Sequence, residues 1–278
     1  MKGIIFVPDG TEQNKALKRT THLCIAAHQD DIEFMAYAPI SECFGVSDKW
    51  FCGVVTTDGA GSPRSGIYAD YTDEDMKSVR INEQKKAAAI GEYGAQILLG
   101  YSSAAVKDPN NEEVILSYLE ILKSTKPQYV YIHNLADKHI THVATAVKAI
   151  EAIRRLGDKD KPKKMYGCEV WRSLDWLNDD EKVLLDCGAH PNLARAVSSV
   201  FDSQILGGKR YDLAVEGRRL ANATFFQSHS CDDSSSLNYA MDLTPLIHDN
   251  NLSIKEYVES YVERFKNSVT ETLDKLKA

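Results

Sequence analysis

The stretch "AAHQDDIEF", residues 26–34, sets one histidine and three acids within six positions, directly behind an apolar run. Asp30 and Asp31 are adjacent, and neighbouring carboxylates ionise together only at a cost unless a positive centre lies between them. A second group, "DKHITH", brings Asp137, His139 and His142 together at the start of a helical pattern. Neutral imidazoles and a carboxylate around a dication remove the penalty. His28, one of Asp30 and Asp31, and a histidine of the second group then supply three protein ligands. Three ligands with one open position are the pattern of a catalytic metal site, and the remaining aspartate stands where a general base is needed. Taken singly, an acid pair after a strand also serves as a helix N-cap, and histidines at a helix start also serve as surface residues. The conjunction of the two groups carries the expectation.

Such a conjunction needs a scaffold that brings residues 28 and 142 together. Short apolar runs at 22–27, 50–57, 95–102 and 128–134 read as buried strands. Helical patterns lie between them: a short one within 34–44 that Pro39 interrupts, then 76–93, 111–125 and 142–157. The alternation predicts an α/β fold, a Rossmann-like, mostly parallel sheet with helices on both faces. The active site of such a sheet lies at the carboxyl ends of its strands. His28–Glu33 follow the first strand, the Gly-rich "DGAGSPRSG" with Arg64 follows the second, and "LADKHITHVAT" follows the fourth. Further on, 164–173 and 181–187 read as strands, 192–204 and 209–224 as helices, and the tail from 254 as an amphipathic helix. No Ser/Gly-rich linker divides the chain, so 1–278 reads as one domain, with a core over about 20–160 and an elaboration over 161–278.

Composition narrows the classes. A net charge of −7 argues against broad binding of nucleic acid, which needs clustered Lys and Arg. None of the six cysteines forms a C-x-x-C pair, which favours reduced thiols over a disulfide framework or a thiolate zinc site. No run of about 18 apolar residues suggests a membrane span, and the first residues lack a signal-peptide core, so the expected location is cytoplasmic.

These residues resemble the PIG-L (LmbE-like) metal-dependent de-N-acetylases. "AAHQDDIEF" is similar to the family's A-H-P-D-D-x-E motif, and "DKHITHVAT" to its H-P-D-H motif. "TTDGAGSPRSG" and "RINEQKKAAAIGE" resemble its T-x-G…R and R-x-x-E-x-x-A-A elements. The likeness covers roughly residues 20 to 150. It implies zinc, or iron(II) or another divalent metal, bound by His28, Asp31 and His142. It implies Asp30 as general base, His139 as oxyanion stabiliser or acid, Arg64 on the substrate, and Glu33 as an acid orienting the first motif. The substrate implied is an N-acetylated sugar, most often an N-acetylglucosaminyl conjugate, and the resemblance allows a homo-oligomer. Tyr68, Tyr71, Trp171 and Trp176 are aromatic candidates for stacking on a sugar ring.

Two departures stand out. Gln29 replaces the motif proline, and Thr141 stands where an aspartate would support His139, leaving Asp137 as the candidate replacement. They motivate a rival reading, a sugar-binding protein with a degenerate, catalytically weak metal site. A second rival, a non-haem iron enzyme, shares two histidines and a carboxylate, but those sites usually sit on all-β barrels.

Overall fold

The computed structural model describes residues 2–277. Its strands are β1 (Ile4–Phe6), β2 (His22–Ala26), β3 (Phe51–Thr57), β4 (Ala95–Tyr101), β5 (Tyr129–His133), β6 (Lys164–Cys168), β7 (Lys182–Asp186) and β8 (Leu237–Asp242). They form one sheet in the order β1-β4-β3-β2-β5-β6-β8-β7. The five central strands, β4 to β6 in that order, run parallel. Antiparallel strands flank them: β1 on β4 at one edge, and β8 between β6 and β7 at the other. Every residue of β2 and β3 is buried, as continuous apolar strands covered on both faces should be. The expected α/β, mostly parallel architecture is therefore what the chain adopts.

Topology makes the crevice. From β2 the chain steps outward to β3 and β4, then returns to β5 on the opposite side of β2. The loops leaving β2 and β5 consequently diverge, and a gap opens at the carboxyl ends where the strand order reverses. Helices Glu112–Thr125 and Ile140–Arg154 pack on one face of the sheet, and helices Asp31–Met35, Tyr37–Cys43 and Asp73–Ile90 on the other. The last of these starts at a Thr72–Asp75 capping box. Its buried side carries Met76, Arg80, Glu83, Gln84 and Ala87 at helical spacing, so polar groups as well as apolar ones face inward.

Several elements differ from the sequence expectations. The run holding Pro39 forms two helices, and the break falls at Ala36 (φ −123°, ψ 32°). Pro39 lies in the first turn of Tyr37–Cys43, where a missing N–H costs no helical bond. β1 and β8 were not expected: β1 is a three-residue edge strand, and β8 mixes Asn238 into its buried run. The tail helix Ile254–Lys275 packs only its first turns, through Ile254, Tyr257, Val258 and Tyr261, and leaves Val262, Phe265, Val269 and Leu273 exposed. The six cysteines are free. Among the described residues no helix is long and apolar enough to cross a membrane.

Candidate metal centre and cleft

The turn after β2 is strained and heavily held. Asp30 has φ +82°, a region that non-glycine residues occupy at a cost on the order of 1–3 kcal/mol. Its N–H donates to Gln84 Oε1 (3.2 Å), and its carboxylate accepts from Arg80 (3.0 Å). Arg80 also donates to the Gln29 carbonyl (2.5 Å). The Gln29 amide donates to the Thr57 carbonyl (3.2 Å), so a side-chain tether to the end of β3 stands in for the motif proline. Gly59 lies beneath at φ +78°, where a Cβ would fall 2.8 Å from Gln29 Oε1 and 2.9 Å from Arg80 Cγ.

This turn presents His28 and Asp31 to the start of the helix that follows β5. His28 Nδ1, Asp31 Oδ2 and His142 Nε2 form a triangle with sides of 3.2, 3.3 and 3.1 Å. A tetrahedral ion bonded at about 2.0–2.1 Å holds neighbouring ligand atoms roughly 3.3 Å apart, so the spacing fits one. The protonation states fit too. Burial drives the His142 imidazole down to about 4, leaving it neutral with a free lone pair. Burial alone would raise Asp31, but the His142 and His133 rings beside it hold it well below the usual carboxylate range. Two imidazole nitrogens and one carboxylate oxygen are a donor set for zinc or another first-row dication.

His133, the last residue of β5, stands at the same centre. Its Nε2 is 3.4 Å from Asp31 Oδ2, and its ring stacks on His142 with centroids 3.9 Å apart. That nitrogen already accepts the Ala27 N–H at 2.8 Å, so its lone pair is spent and it buttresses the triangle rather than joining it. Asp137 Oδ1 accepts the His139 backbone N–H (2.8 Å) and lies 3.6 Å from His142 Nδ1; Oδ2 accepts the Trp171 N–H (3.0 Å). It therefore backs the His142 ring and not the His139 ring. His139 packs between His28, His142 and Trp171, with centroids 4.9, 4.5 and 6.4 Å away. Its Nδ1 is buried without a hydrogen-bond partner, and burial together with His28 keeps its pKa below the ordinary value. Thr141 lines the cleft beside it and supplies no carboxylate.

Glu33 lies wholly inside, accepting from Tyr93 (2.7 Å) and Gln84 (2.8 Å), and burial pushes its carboxyl up to about 8. It ties the first motif to the inward face of Asp73–Ile90. Arg64 is not brought to the centre: it pairs with Asp73 and donates to the Ala60 carbonyl, and the neighbouring Gly61, Ser62 and Pro63 line the cleft instead. The buried arginine at the site is Arg80, which opens the "RINEQ" element noted in the sequence.

The cleft above the triangle has a volume of about 690 Å³. His28, Asp30, Asp31 and His139 line it together with Trp171, Tyr211 and the cations Lys107, Lys138, Lys209 and Arg218. Its roof, Val170–Trp171 and residues 204–218, comes from the C-terminal third, where motif reading gave no site residue. Of the aromatic candidates Trp171 lines the cleft, whereas Tyr68 bonds to Asp202 and Trp176 packs against the core.

A dication-sized triangle of His, Asp and His thus stands at the switch point of a Rossmann-like α/β sheet, under a roofed cleft. Residues 23–153 match the family model described as PIG-L, GlcNAc-PI de-N-acetylase. Among solved structures it is similar to an N,N'-diacetylchitobiose deacetylase from Pyrococcus horikoshii (TM-score 0.64, 15% identity, 87% of this chain and 90% of that one). It is also similar to a 4-carboxy-2-hydroxymuconate hydratase from Pseudomonas putida (0.62, 16%, 81% and 95%). A third is Dbv21, the A40926 pseudoaglycone deacetylase (0.56, 17%, 81% and 97%). At these identities the likeness establishes the fold. No curated protein matches the chain in sequence.

Proposed function

We propose that the chain is a zinc-dependent hydrolase that removes the acetyl group from an N-acetylated sugar, an N-acetylglucosaminyl conjugate. One observation carries the reading: three lone-pair atoms at ion-ligand spacing, with the Asp30 carboxylate beside them on the floor of a cleft large enough for a sugar. The PIG-L match over residues 23–153 and deacetylase neighbours support it. His28, Asp31 and His142 would hold the metal. When bound, a divalent ion supplies Lewis acidity, polarising an amide carbonyl and making water acidic near neutral pH.

The residues of the chain do the rest. Asp30, pinned by Arg80 and the Gln84 amide, accepts the proton of the attacking water. His139, facing the cleft, donates a hydrogen bond to the developing oxyanion and then gives its proton to the departing amine, the proton held on Asp30 restoring it; a preorganised donor of this kind is worth about 3–4 kcal/mol. Asp137 orients His142 through its Nδ1 side, and Glu33 with Tyr93 and Gln84 keeps the first motif in place. Trp171 offers a face to the sugar ring. Arg64, held by Asp73 at the rim, retains at most an outer contact. We further propose that residues 1–278 act as one cytoplasmic domain, as the single continuous sheet supports, and that any self-association uses the exposed stripe of the tail helix.

Protein purified without added metal is expected to carry close to one equivalent of zinc by elemental analysis and to release acetate from N-acetylglucosaminides. Chelation should abolish release, and zinc should restore it. A protein that binds metal but releases no acetate from any member of a broad panel would sink the hydrolase reading in favour of a binding protein. Thr141 gives a sharper test. Because His139 Nδ1 has no partner, Thr141→Asp is expected to raise kcat about 10-fold at unchanged metal content, the size of effect seen when a supporting carboxylate is gained or lost. An unchanged or lower kcat would mean that His139 is not the proton donor.

A further inference from the structure

We infer that the cleft takes an anionic substrate, an N-acyl compound whose phosphate or carboxylate docks beside Trp171 on Lys138, Lys209 and Arg218. The inference rests on the reading of the metal centre as the reaction site. It starts from a charge imbalance confined to the cleft. The chain as a whole is acidic, at −7. Yet among the described residues the only carboxylates lining the cleft are Asp30 and Asp31, and both are committed, one to Arg80 and one to the histidine triangle. Against them the lining sets four more cations: Lys138, Lys209, Arg218 and, outside the group at Trp171, Lys107. Among the described residues none of the four forms an ion pair with a carboxylate, whereas elsewhere Lys77, Arg155, Lys182 and Arg210 all do.

These cations are also convergent. Lys138 comes from the loop after β5 and Lys209 from the loop before helix Tyr211–Phe225, far apart in sequence. Both nonetheless approach one ring, with Nζ 5.9 and 5.6 Å from the Trp171 centroid. Arg218 reaches the same place, donating to the carbonyl of Val170, next to Trp171. The acid nearest in the chain, Glu169, is buried and spends both carboxylate oxygens on Asn222 and on the Leu174 and Tyr239 N–H groups, with Arg218 near enough to act on it electrostatically but not in an ion pair. Lys138 and Lys209 are exposed and Arg218 is half-buried; the three like charges repel one another across the wall, and an anion bound between them relieves that repulsion. Trp171 lies 6.4 Å from His139, so one small molecule can touch the cationic wall and the metal centre together. A neutral sugar gains no ion pair from these groups. An anionic one gains charge-assisted hydrogen bonds from groups the cleft already provides.

Matched substrate pairs test this: N-acetylglucosamine 6-phosphate and N-acetylmuramic acid, each against N-acetylglucosamine, with acetate release measured at low and high salt. The phosphate and carboxylate arms distinguish the two anions. At least one anionic member is expected to show a kcat/KM about 10-fold or more above the neutral sugar, shrinking as salt screens the charges. Lys138→Gln/Lys209→Gln should cut that preference roughly ten- to hundredfold. Calorimetric binding of the same three compounds to the zinc-loaded protein gives a readout free of turnover. Anion binding that the double variant abolishes, with no acetate released, would keep this inference while overturning the hydrolase reading. Deacetylation of the neutral sugar at least as efficient as that of both anions would overturn the inference and leave the hydrolase standing.

Discussion

Asp30→Asn is expected to lower kcat by about a thousandfold while the protein keeps its metal and its fold, because general-base groups contribute on the order of 10²–10⁴. The triangle of His28 Nδ1, Asp31 Oδ2 and His142 Nε2 does not include Asp30, so metal content should stay near one equivalent. An asparagine is isosteric, and its carbonyl can still accept from Arg80, so the strained turn at φ +82° keeps its main tether. What disappears is the negative charge able to take a proton. The loss should fall on kcat rather than KM, since the interaction is made in the transition state. Asp31→Asn makes the contrast: it weakens the triangle itself, and metal and activity should go together. An Asp30→Asn enzyme within about 10-fold of wild type would show that another group takes the proton, and retained activity without metal would show that the triangle is not the centre.

The parts of this site legible in sequence were those with local rules. β2 and β3 announced themselves as unbroken apolar runs, and the topology that brings residue 28 to residue 142 follows from strand–helix alternation. His28, Asp31 and His142 meet as the resemblance implied, and Asp30 and His139 border them. What remained hidden depends on distance in space alone. Arg64 and Arg80 are both arginines after β3, but only the second lies on the buried side of a helix whose polar stripe faces the turn. No spacing rule separates them. Asp137 was a candidate partner for the His139 ring, yet its carboxylate meets the His139 backbone N–H and the far side of His142. His133 sits in a run that reads as ordinary strand, and only the Ala27 N–H on its Nε2 separates a support from a fourth ligand. The cationic roof comes from residues 170–218, where the motifs had already run out.

Arg80→Met is expected to be the most damaging single change to stability in the site, with activity lost as well. Arg80 is 1% exposed and stands between two buried carboxylates, Asp30 at 3.0 Å and Glu83 at 3.1 Å. It also donates to the Gln29 carbonyl and lies 3.4 Å from Ser203 Oγ. Removing the cation strands both acids in an apolar interior, a loss of about 3–5 kcal/mol. For a chain of this size that is a fall in Tm of roughly 6–15 °C. The two acids should not suffer equally. Glu83 keeps hydrogen bonds from the Ser203 N–H and hydroxyl, whereas the Asp30 side chain has Arg80 as its hydrogen-bond donor. Arg80→Met combined with Asp30→Asn should therefore be more stable than the sum of the single losses, by more than the ~0.5 kcal/mol within which independent sites add. Arg80→Lys keeps a charge but cannot reach both carboxylates and the Gln29 carbonyl from one planar fork, so it should fall between wild type and Arg80→Met. Thermal melts of the wild type and the four variants decide the matter. If Arg80→Met melts within about 2 °C of wild type, the cation is not what holds the two acids. If the double variant loses the full sum, Arg80 and Asp30 act independently, and the turn that presents the base is held by its backbone contacts alone.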